Sequence, residues 1–400
     1  MLFKILVLWF VTSGLVIAYF ARRELLISWR EPVLHRPVLI IESDDWGAGP
    51  PDQSEALGTI AQLLAGFKDC DGRHPVMTLG IVLASADGER ITATGSYQRQ
   101  LISTGTHGSL LETIGNGVEA GVFDIQLHGL EHFWPSALME ASQCDETVRV
   151  WLQRAPLSLT EDLPSSLQSR WVNAVSLPAE PLNDKEVLQA VQEETAGFEA
   201  IFGDVPGVAV PPTFIWNECV EKAWAAGGVD VVVTPGRRYE SRDYDGQPSD
   251  AGDPVYNGQL TDIGIVYMVR NSYFEPSIGH MAEQAMAALD FKTRLGQPAL
   301  LETHRFNFLG SIDKKNRSVE ELKRFLEQAL VTYPNLAFIS TGKLAKILKD
   351  RDPGWVEQRL GPRLHFWLRR LGEFPRVRKL AWLSGWILPA GLVWKLTGHS

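Results

Sequence analysis

Cysteine is scarce in this chain of 400 residues, which has only Cys70, Cys144 and Cys219. No two of them form a CxxC pair, and an odd number of cysteines cannot be completely paired in disulfides. A complete disulfide framework is therefore excluded, and the thiols are expected to be buried or unused. The sequence also has no internal repeat and no low-complexity linker.

An excess of positive charge is missing as well. The formal net charge is −10 at pH 7, so the chain lacks the general basic surface of nucleic-acid-binding proteins. The charge is unevenly placed, because residues 351–400 contain nine Lys or Arg against three Asp or Glu, a net of +6 that leaves −16 for the first 350 residues. Such asymmetry is typical of a tail that contacts an anionic surface. No nucleic-acid partner is predicted.

An apolar run occupies the N-terminus. Residues 5–20 contain no charged side chain, with Lys4 before them and Arg22 and Arg23 after them. With its apolar flanks the run comes near the roughly 20 residues that span a bilayer. A cleavable signal peptide is the alternative, but the run is long for such a peptide and YFARRE is a poor cleavage site. Residues 1–30 are predicted to be an uncleaved membrane anchor with its juxtamembrane segment.

The C-terminal residues 349–400 combine basic side chains with tryptophans such as Trp367, Trp382 and Trp394. Their uncharged run is too short for a confident second span, and Pro389 interrupts it. Aromatic and basic residues together are typical of an amphipathic helix in the lipid headgroup layer. An amphipathic helical tail on the membrane is predicted; a helical hairpin packed on the domain is the alternative.

Between residues 36 and 348 the chain alternates short apolar, often β-branched runs with amphipathic stretches. The candidate strands are PVLIIES, VMTLGIVLA, VFDIQLH, GVAVPP, VDVVVTP, IGIVYMV, PALLETH and LAFIS. Such alternation predicts an α/β fold with a parallel sheet whose strands are buried on both faces. Seven or eight strands suit a closed or nearly closed (β/α) barrel. Residues 135–181 fit the rhythm poorly and are interpreted as an insertion.

Helix boundaries are indicated by capping residues. The stretch 183–203 begins at Asn183 or Asp184 and ends at a glycine, and the stretch 217–228 closes on a glycine pair. Ser318 and Glu321 have the spacing of a capping box, which predicts that a helix begins at Ser318.

Two adjacent carboxylates, Asp44 and Asp45, follow the first apolar strand in VLIIESDDWGAG. In parallel α/β folds the functional groups collect at the carboxyl ends of the strands. Two like charges at such a place are costly unless a cation neutralises them. The pair therefore predicts a bound cation.

Three histidines follow other apolar strands. His128 and His132 are four residues apart, so one turn of helix would put both imidazoles on the same side. Two histidines and a carboxylate from elsewhere make a set of three ligands that leaves positions open, as catalytic zinc sites do. His304 could give a proton to a leaving group. An HxxxH pair and a lone histidine are each commonly structural, and the signal lies in their combination with the aspartates.

The order of these motifs resembles that of the polysaccharide deacetylase superfamily, typified by carbohydrate esterase family 4. The matching motifs are Asp44-Asp45, His128-xxx-His132 and Leu301-x-x-His304. The resemblance covers roughly residues 36–345. It implies a distorted (β/α) barrel and the hydrolysis of N- or O-acetyl groups on sugars.

The resemblance also implies a role for each matched residue. Asp44 would be the general base, and His304 the general acid. Asp45, His128 and His132 would bind a divalent metal, usually zinc. A metal held in this way lowers the pKa of water and polarises the acetyl carbonyl.

Two features depart from the family pattern. The usual TFDDG reads ESDDWG here, and the arginine that orients the base is missing near VAVPPTFIW. Arg237, Arg270 or Arg305 is expected to replace it from another loop. Trp46 and Trp216, near strand ends, are predicted to contact the sugar; core packing is the alternative.

A metal-dependent carbohydrate deacetylase is therefore the predicted function, with a polysaccharide or glycan as substrate. The alternatives are a glycosidase that uses Asp44 and Glu302 as its two carboxylates, and an inactive membrane-anchored carbohydrate-binding protein. The substrate places the catalytic domain on the outer or periplasmic side of the cell (inner) membrane. The positive charges that follow the single anchor favour the opposite orientation.

Overall fold

A mainly parallel sheet with helices packed against it forms the centre of the molecule, as the computed structural model describes it for residues 1–397. The strands are β1 (Val38–Gly47), β2 (Met77–Val82), β3 (Ala84–Ala86), β4 (Arg99–Leu101), β5 (Phe123–Leu127), β6 (Val172–Asn173), β7 (Glu180–Pro181), β8 (Val208–Ala209), β9 (Val231–Thr234), β10 (Ser241–Arg242), β11 (Pro248–Ser249), β12 (Gln259–Leu260), β13 (Val266–Val269), β14 (Ser272–Tyr273), β15 (Ala299–His304) and β16 (Ala337–Phe338).

The helices surround this sheet and also form both ends of the chain. They are α1 (Leu2–Phe20), α2 (Arg22–Arg30), α3 (Gln53–Ala65), α4 (Gly88–Thr94), α5 (Thr104–Glu119), α6 (Pro135–Cys144), α7 (Glu146–Arg154), α8 (Asp184–Phe202), α9 (Glu218–Ala226), α10 (Ala282–Arg294), α11 (Ile312–Thr332), α12 (Thr341–Asp350), α13 (Leu360–Gly372), α14 (Pro375–Ser384) and α15 (Ile387–Thr397).

In the main sheet the strands follow the order β12-β13-β9-β8-β5-β2-β1-β15-β14, and β16 also pairs with β1. All of these pairs are parallel except β12 with β13. Only Arg270 and Asn271 separate β13 from β14. The first of these donates its backbone N–H to Thr234 on β9, and the second donates to Leu300 on β15. The segment 266–273 therefore pairs with β9 through its first part and with β15 through its second part, and so links strands that lie near opposite edges of the sheet.

Alternation along β1 divides the core between the two faces of the sheet. Val38 and Ile40 pack with valines of β8 and β9 and with Leu300 in one cluster. Leu39 and Ile41 belong to a larger cluster that includes the surrounding helices. Because side chains alternate along a strand, Glu42 and Asp44 continue the face of Val38 and Ile40. The first cluster thus ends in acidic groups at the carboxyl end of the strands.

The capping residues agree with the structure in two helices and disagree in a third. The side chain of Asn183 forms a capping box with Glu186 at the start of α8. Helix α9 ends at Ala226, directly before the predicted glycine pair of Gly227 and Gly228. The predicted start at Ser318 is wrong, because α11 already begins at Ile312 and Ser318 is buried inside it.

The terminal helices contact each other. In the described residues, Phe3–Phe20 is the one stretch long and apolar enough to cross a membrane. Trp9 on α1 donates its Nε1–H to the Ser384 carbonyl, 3.0 Å away. Trp386 donates to Ser13 Oγ at 3.2 Å. The basic C-terminal segment is thus helical and packs on the N-terminal apolar helix.

Candidate metal centre

A β-bulge places both aspartates at one site. Between Ser43 and Trp46 the register with β2 shifts, since three steps on β1 oppose two steps on β2. Asp45 has φ of 71°, in the left-handed region that a non-glycine residue rarely adopts. Adjacent residues of a regular strand point to opposite faces, and a bulge redirects one of them. The strained Asp45 backbone is therefore the local feature that brings two neighbouring carboxylates together.

Three possible ligand atoms converge beside the bulge. Oδ1 of Asp45 lies 3.5 Å from His128 Nε2 and 3.4 Å from His132 Nε2. The two Nε2 atoms are 3.1 Å apart. All three side chains are buried, with at most 7% of any of them exposed. Two nitrogen lone pairs and an oxygen this close repel each other unless a proton or a cation lies between them.

The protonation states suit a cation. His128 Nδ1 lies 2.9 Å from the Val210 carbonyl and donates to it, so Nε2 is the ring nitrogen that faces Asp45. Burial lowers the pKa of His128, but Asp44 and Asp45 outweigh burial and raise this pKa, so a metal ion would take the place of a proton on Nε2. Burial lowers the pKa of His132 to about 4, which keeps that ring neutral. Burial raises the pKa of Asp45, but His132 and His128 outweigh this and hold it well below its usual value. Neutral imidazoles and an ionised carboxylate are the forms that bind metal.

Two buried polar atoms of this group are left without partners by the protein. Neither Asp45 Oδ1 nor His132 Nδ1 has a hydrogen-bond partner among the described residues. An unpaired buried carboxylate oxygen is costly, and a divalent cation would remove the cost. At Zn–N distances near 2.0–2.1 Å, tetrahedral geometry puts two nitrogens about 3.3 Å apart. The three residues thus fit a divalent ion such as zinc.

Asp44 is held by an arginine from the break between β13 and β14. Arg270 donates to both oxygens of Asp44, at 2.8 Å in the case of Oδ1, and its Nε donates to Glu42 at 2.5 Å. Burial raises the pKa of Asp44, but the positive charge of Arg270 outweighs burial and lowers it to about 2. Arg270 is therefore the arginine that contacts the proposed base.

The other two candidate arginines lie elsewhere. Arg237 is exposed and donates to the Gly252 carbonyl at 3.2 Å. Arg305 is buried and donates to the Ala48 carbonyl at 3.0 Å, while its other nitrogen lies 3.5 Å from Glu161. Neither forms a hydrogen bond or an ion pair with Asp44.

His304 lies on the far side of Asp44 and has its own acidic partner. Residues Asp44 and His304 are paired neighbours on β1 and β15. His304 Nδ1 donates to Glu275 Oε1 at 2.6 Å, and Asn307 donates to the other oxygen of the same carboxylate. Burial lowers the pKa of His304, but Glu275 and the aspartates raise it to about 10. The ring is thus an imidazolium at neutral pH, and its Nε2 lies 3.8 Å from Glu302 Oε1.

Comparisons with known proteins give remote similarities. No family model and no curated protein matches the sequence. The solved structures with similarity include a peptidoglycan deacetylase, PdaC, from Bacillus subtilis (10% identity, 80% of this chain and 95% of that chain, TM-score 0.37). A family 4 acetyl xylan esterase from Clostridium thermocellum, solved with a cobalt ion, has 12% identity over 78% of this chain and 91% of that chain, with a TM-score of 0.38.

A third similar structure is a family 4 carbohydrate esterase pseudoenzyme from Bacillus anthracis. Its identity is 10% over 78% of this chain and 66% of that chain, with a TM-score of 0.37.

The predicted substrate contacts of two tryptophans are corrected by the structure. Trp46 is fully buried inside β1, donates to Ser43 Oγ at 2.8 Å and stacks on Phe308. Trp216 is 1% exposed and lies 3.3 Å from Glu221 Oε1. Neither indole offers a free face to a sugar, because both belong to the core.

Glu275 is the functional candidate that the sequence did not indicate. It lies in a loop 29 residues before His304 and forms no motif with it. A carboxylate behind the proton donor is a common arrangement for catalytic histidines, but only the fold brings the two together.

Proposed function

We propose that this protein is a metal-dependent hydrolase that removes acetyl groups from a polysaccharide or glycoconjugate. The observation that carries the proposal is the convergence of Asp45, His128 and His132, whose ligand atoms all lie within 4.8 Å of one another. The site has an ionised carboxylate, Asp44, on one side and an imidazolium, His304, on the other. These are the parts that hydrolysis of an acyl group needs.

A divalent ion held by Asp45, His128 and His132 would supply a Lewis acid that activates water and polarises the acetyl carbonyl. Asp44 accepts a proton as the water oxygen bonds to the carbonyl carbon, while Arg270 keeps the carboxylate in place. His304 donates a proton to the nitrogen or oxygen that leaves the carbonyl carbon. The products are acetate and a free amine or hydroxyl on the sugar. Glu275 holds the ring of His304 and stabilises its charged form.

The shape of the domain is part of the proposal. We infer that residues 36–348 form a distorted barrel, closed by the segment 266–273 between β9 and β15. Seven strands complete such a circle when β13 and β14 are taken as one strand with a break. Residues 135–181 are the insertion, and its Trp151 packs in a small core that also includes Ala86 and Ile91.

The location is inferred from the terminal segments. We propose that residues 1–30 anchor the protein in the cell (inner) membrane by a single span, with the catalytic domain on the outer or periplasmic side, where polysaccharides occur. Residues 349–400 would form a basic helical tail at the membrane surface. A reporter fused to the C-terminus distinguishes the two orientations, and reporter activity on the cytoplasmic side would contradict this location.

A glycosidase is the second candidate, because the pKa values of two carboxyl groups beside Arg270 are shifted in opposite directions. Arg270 Nη1 lies 3.8 Å from Glu302 Oε1 and also bonds Asp44. Burial raises the pKa of Glu302, whereas that of Asp44 is lowered. Such a pair can supply an acid and a base. Release of reducing sugar without acetate would favour this candidate.

The test is elemental analysis of the purified full chain with its acetate release from an acetylated glycan. The parent should hold about one equivalent of a divalent metal. We expect Asp45→Ala to lose the metal and the activity, because one of three ligands is gone. Asp44→Asn should keep the metal and lose turnover by at least about 100-fold, because a general base is removed. Equal metal content in Asp45→Ala and the parent would refute the assignment.

A further inference from the structure

An apolar groove lies between the N-terminal helix and the C-terminal helices. Its volume is about 520 Å³, within the usual range for ligand sites. Ile17 on α1, Trp367 and Leu371 on α13, and Val377 on α14 are among the side chains that line it. The single charged residue of its lining is Arg378. An unbranched hydrocarbon chain suits such a surface because it needs no hydrogen bonds there.

A basic cavity of about 750 Å³ adjoins the groove. Six basic and three acidic side chains line it. Three of the basic side chains have partners, since Arg23 pairs with Asp253, Arg237 donates to the Gly252 carbonyl and Arg370 bonds to backbone carbonyls. Arg22 and Arg376 form no ion pair among residues 1–397, and Arg376 lies over the ring of Phe20. Two unpaired guanidinium groups favour an anion, and phosphate in particular.

Neighbouring residues of the same helix ends line the two spaces. Ala18 faces the groove and Tyr19 the cavity at the end of α1. At the start of α14, Arg376 faces the cavity and Val377 the groove. A molecule with a hydrocarbon chain in the groove would therefore place its polar headgroup in the cavity that Arg22 and Arg376 line.

The surroundings of the groove match the depth at which a phospholipid lies. The groove begins on the last turns of α1, the helix that is long and apolar enough to cross a membrane. The nearby helices expose large apolar side chains, among them Leu15, Trp382 and Leu388, each at least 66% exposed. Arginines and aromatic residues follow at the level where the headgroups of a bilayer begin.

We propose that the groove and the basic cavity together bind one anionic phospholipid, with an acyl chain between α1 and the C-terminal helices and the phosphate beside Arg22 and Arg376. This inference goes beyond the proposed hydrolysis and uses none of its residues. The bound lipid would fill the space between the two ends of the chain and fix the domain at the membrane surface.

The test is native mass spectrometry of the full chain in a neutral detergent, titrated with phosphatidylglycerol or phosphatidylcholine of the same chain length. Gly372→Leu fills the groove, because Gly372 lines it and a Cβ there meets no atom within 4 Å. Its matched control is Gly391→Leu on α15, a position that also has open space but does not line the groove. Arg22→Gln with Arg376→Gln removes the head contacts, with Lys379→Gln as the control on the same helix.

One bound phosphatidylglycerol is expected in the parent and in both controls. Gly372→Leu should lose the lipid, and the double arginine variant should lose about tenfold or more of the preference for phosphatidylglycerol over phosphatidylcholine. Metal content of each variant checks that the domain is folded. Equal lipid retention in Gly372→Leu and Gly391→Leu, or no preference for the anionic lipid in the parent, would overturn the proposal. Either result would leave general association with exposed apolar side chains as the explanation.

Discussion

Arg270 fixes both the position and the charge of the proposed base. Its planar guanidinium bonds both oxygens of Asp44 while its Nε bonds Glu42. Such two-point binding holds a carboxylate in one orientation, which a single ammonium cannot do. The same contact lowers the pKa of Asp44 to about 2, so the group is ionised at every working pH but is a weak base. Orientation of the carboxylate is therefore the main contribution of this pair.

Arg270→Lys tests this contribution because it keeps the positive charge and removes the guanidinium that bonds both oxygens of Asp44. We expect kcat to fall about 10- to 100-fold, since a misplaced base loses much of its effect. Metal content should stay at the level of the parent, because Arg270 does not contact Asp45. Arg237→Lys is the matched control, as that arginine is exposed and bonds only to the Gly252 carbonyl. A kcat equal to that of the parent in Arg270→Lys would show that orientation of Asp44 is unimportant.

Glu275 determines the pH range in which His304 can donate a proton. The pKa of His304 is raised to about 10, so the imidazolium is present below that pH and is lost as the pH rises through it. Glu275→Gln removes the negative charge and should lower this pKa toward the ordinary value of about 6.5. We expect the alkaline limb of the kcat/KM profile to move toward neutral pH. Glu283→Gln, on the exposed face of α10, should leave the profile unchanged; an unmoved limb in Glu275→Gln would exclude His304 as the group that titrates there.

At the scale of elements, the bulge in β1 depends on a small residue in β2. A Cβ on Gly80 would overlap Oδ1 of Asp44, which the bonds to Arg270 prevent from moving away. Gly80→Ala should therefore displace the carboxylate and lower kcat about 10-fold or more, with a loss of stability of about 1–3 kcal/mol. The metal should be retained. Steady-state kinetics and urea unfolding measure both effects. Gly58→Ala is the control, because a Cβ there meets nothing within 4 Å. Equal kcat values in the two variants would contradict the prediction.

The position of the site residues at strand ends explains which of them the sequence predicts. Asp44, Asp45, His128, His132 and His304 were visible because each follows an apolar strand, and parallel strands bring their ends to one edge. Their geometry was not visible, because a bulge and a left-handed Asp45 leave no pattern in the sequence. The roles of Arg270 and Glu275 depend on strand pairings across the sheet. The sequence therefore predicts only that one of three arginines contacts Asp44, and it does not indicate Glu275.

The length of β1 explains the error at Trp46. The apolar pattern ends at Ser43, which places the tryptophan just beyond the end of the strand, where a substrate contact is predicted. In the structure β1 continues to Gly47 through the bulge, and every residue of it is buried. Long-range packing against Phe308 decides the position of the indole, and local sequence does not contain that information.

At the scale of the whole molecule, Arg370 connects the two ends of the chain to the domain built on the main sheet. Its five N–H groups donate to the carbonyls of Ser28, Glu31, Pro32, Leu295 and Gly296, at 2.8–3.2 Å. The first three acceptors end the N-terminal helices, and the last two precede β15. One side chain thus satisfies all its donors and joins three separate parts of the chain.

Arg370→Met should therefore loosen the terminal helices as a group. The methionine keeps part of the packing, but five carbonyls lose a donor in a buried place, and of these, within residues 1–397, Gly296 alone keeps a second donor, the N–H of Leu34. The expected loss of stability is about 3–5 kcal/mol. Urea unfolding of the full chain in detergent measures the loss, and limited proteolysis should cut first between residues 351 and 375. Lys379→Met, on the exposed face of α14, is the control for changed charge. If the two variants unfold at the same urea concentration, the ends are held by the apolar contacts of α1 with α14 and α15, and Arg370 is dispensable. If only Arg370→Met is destabilised while its metal content is unchanged, the N-terminal and C-terminal helices form one unit that is stabilised separately from the candidate metal centre.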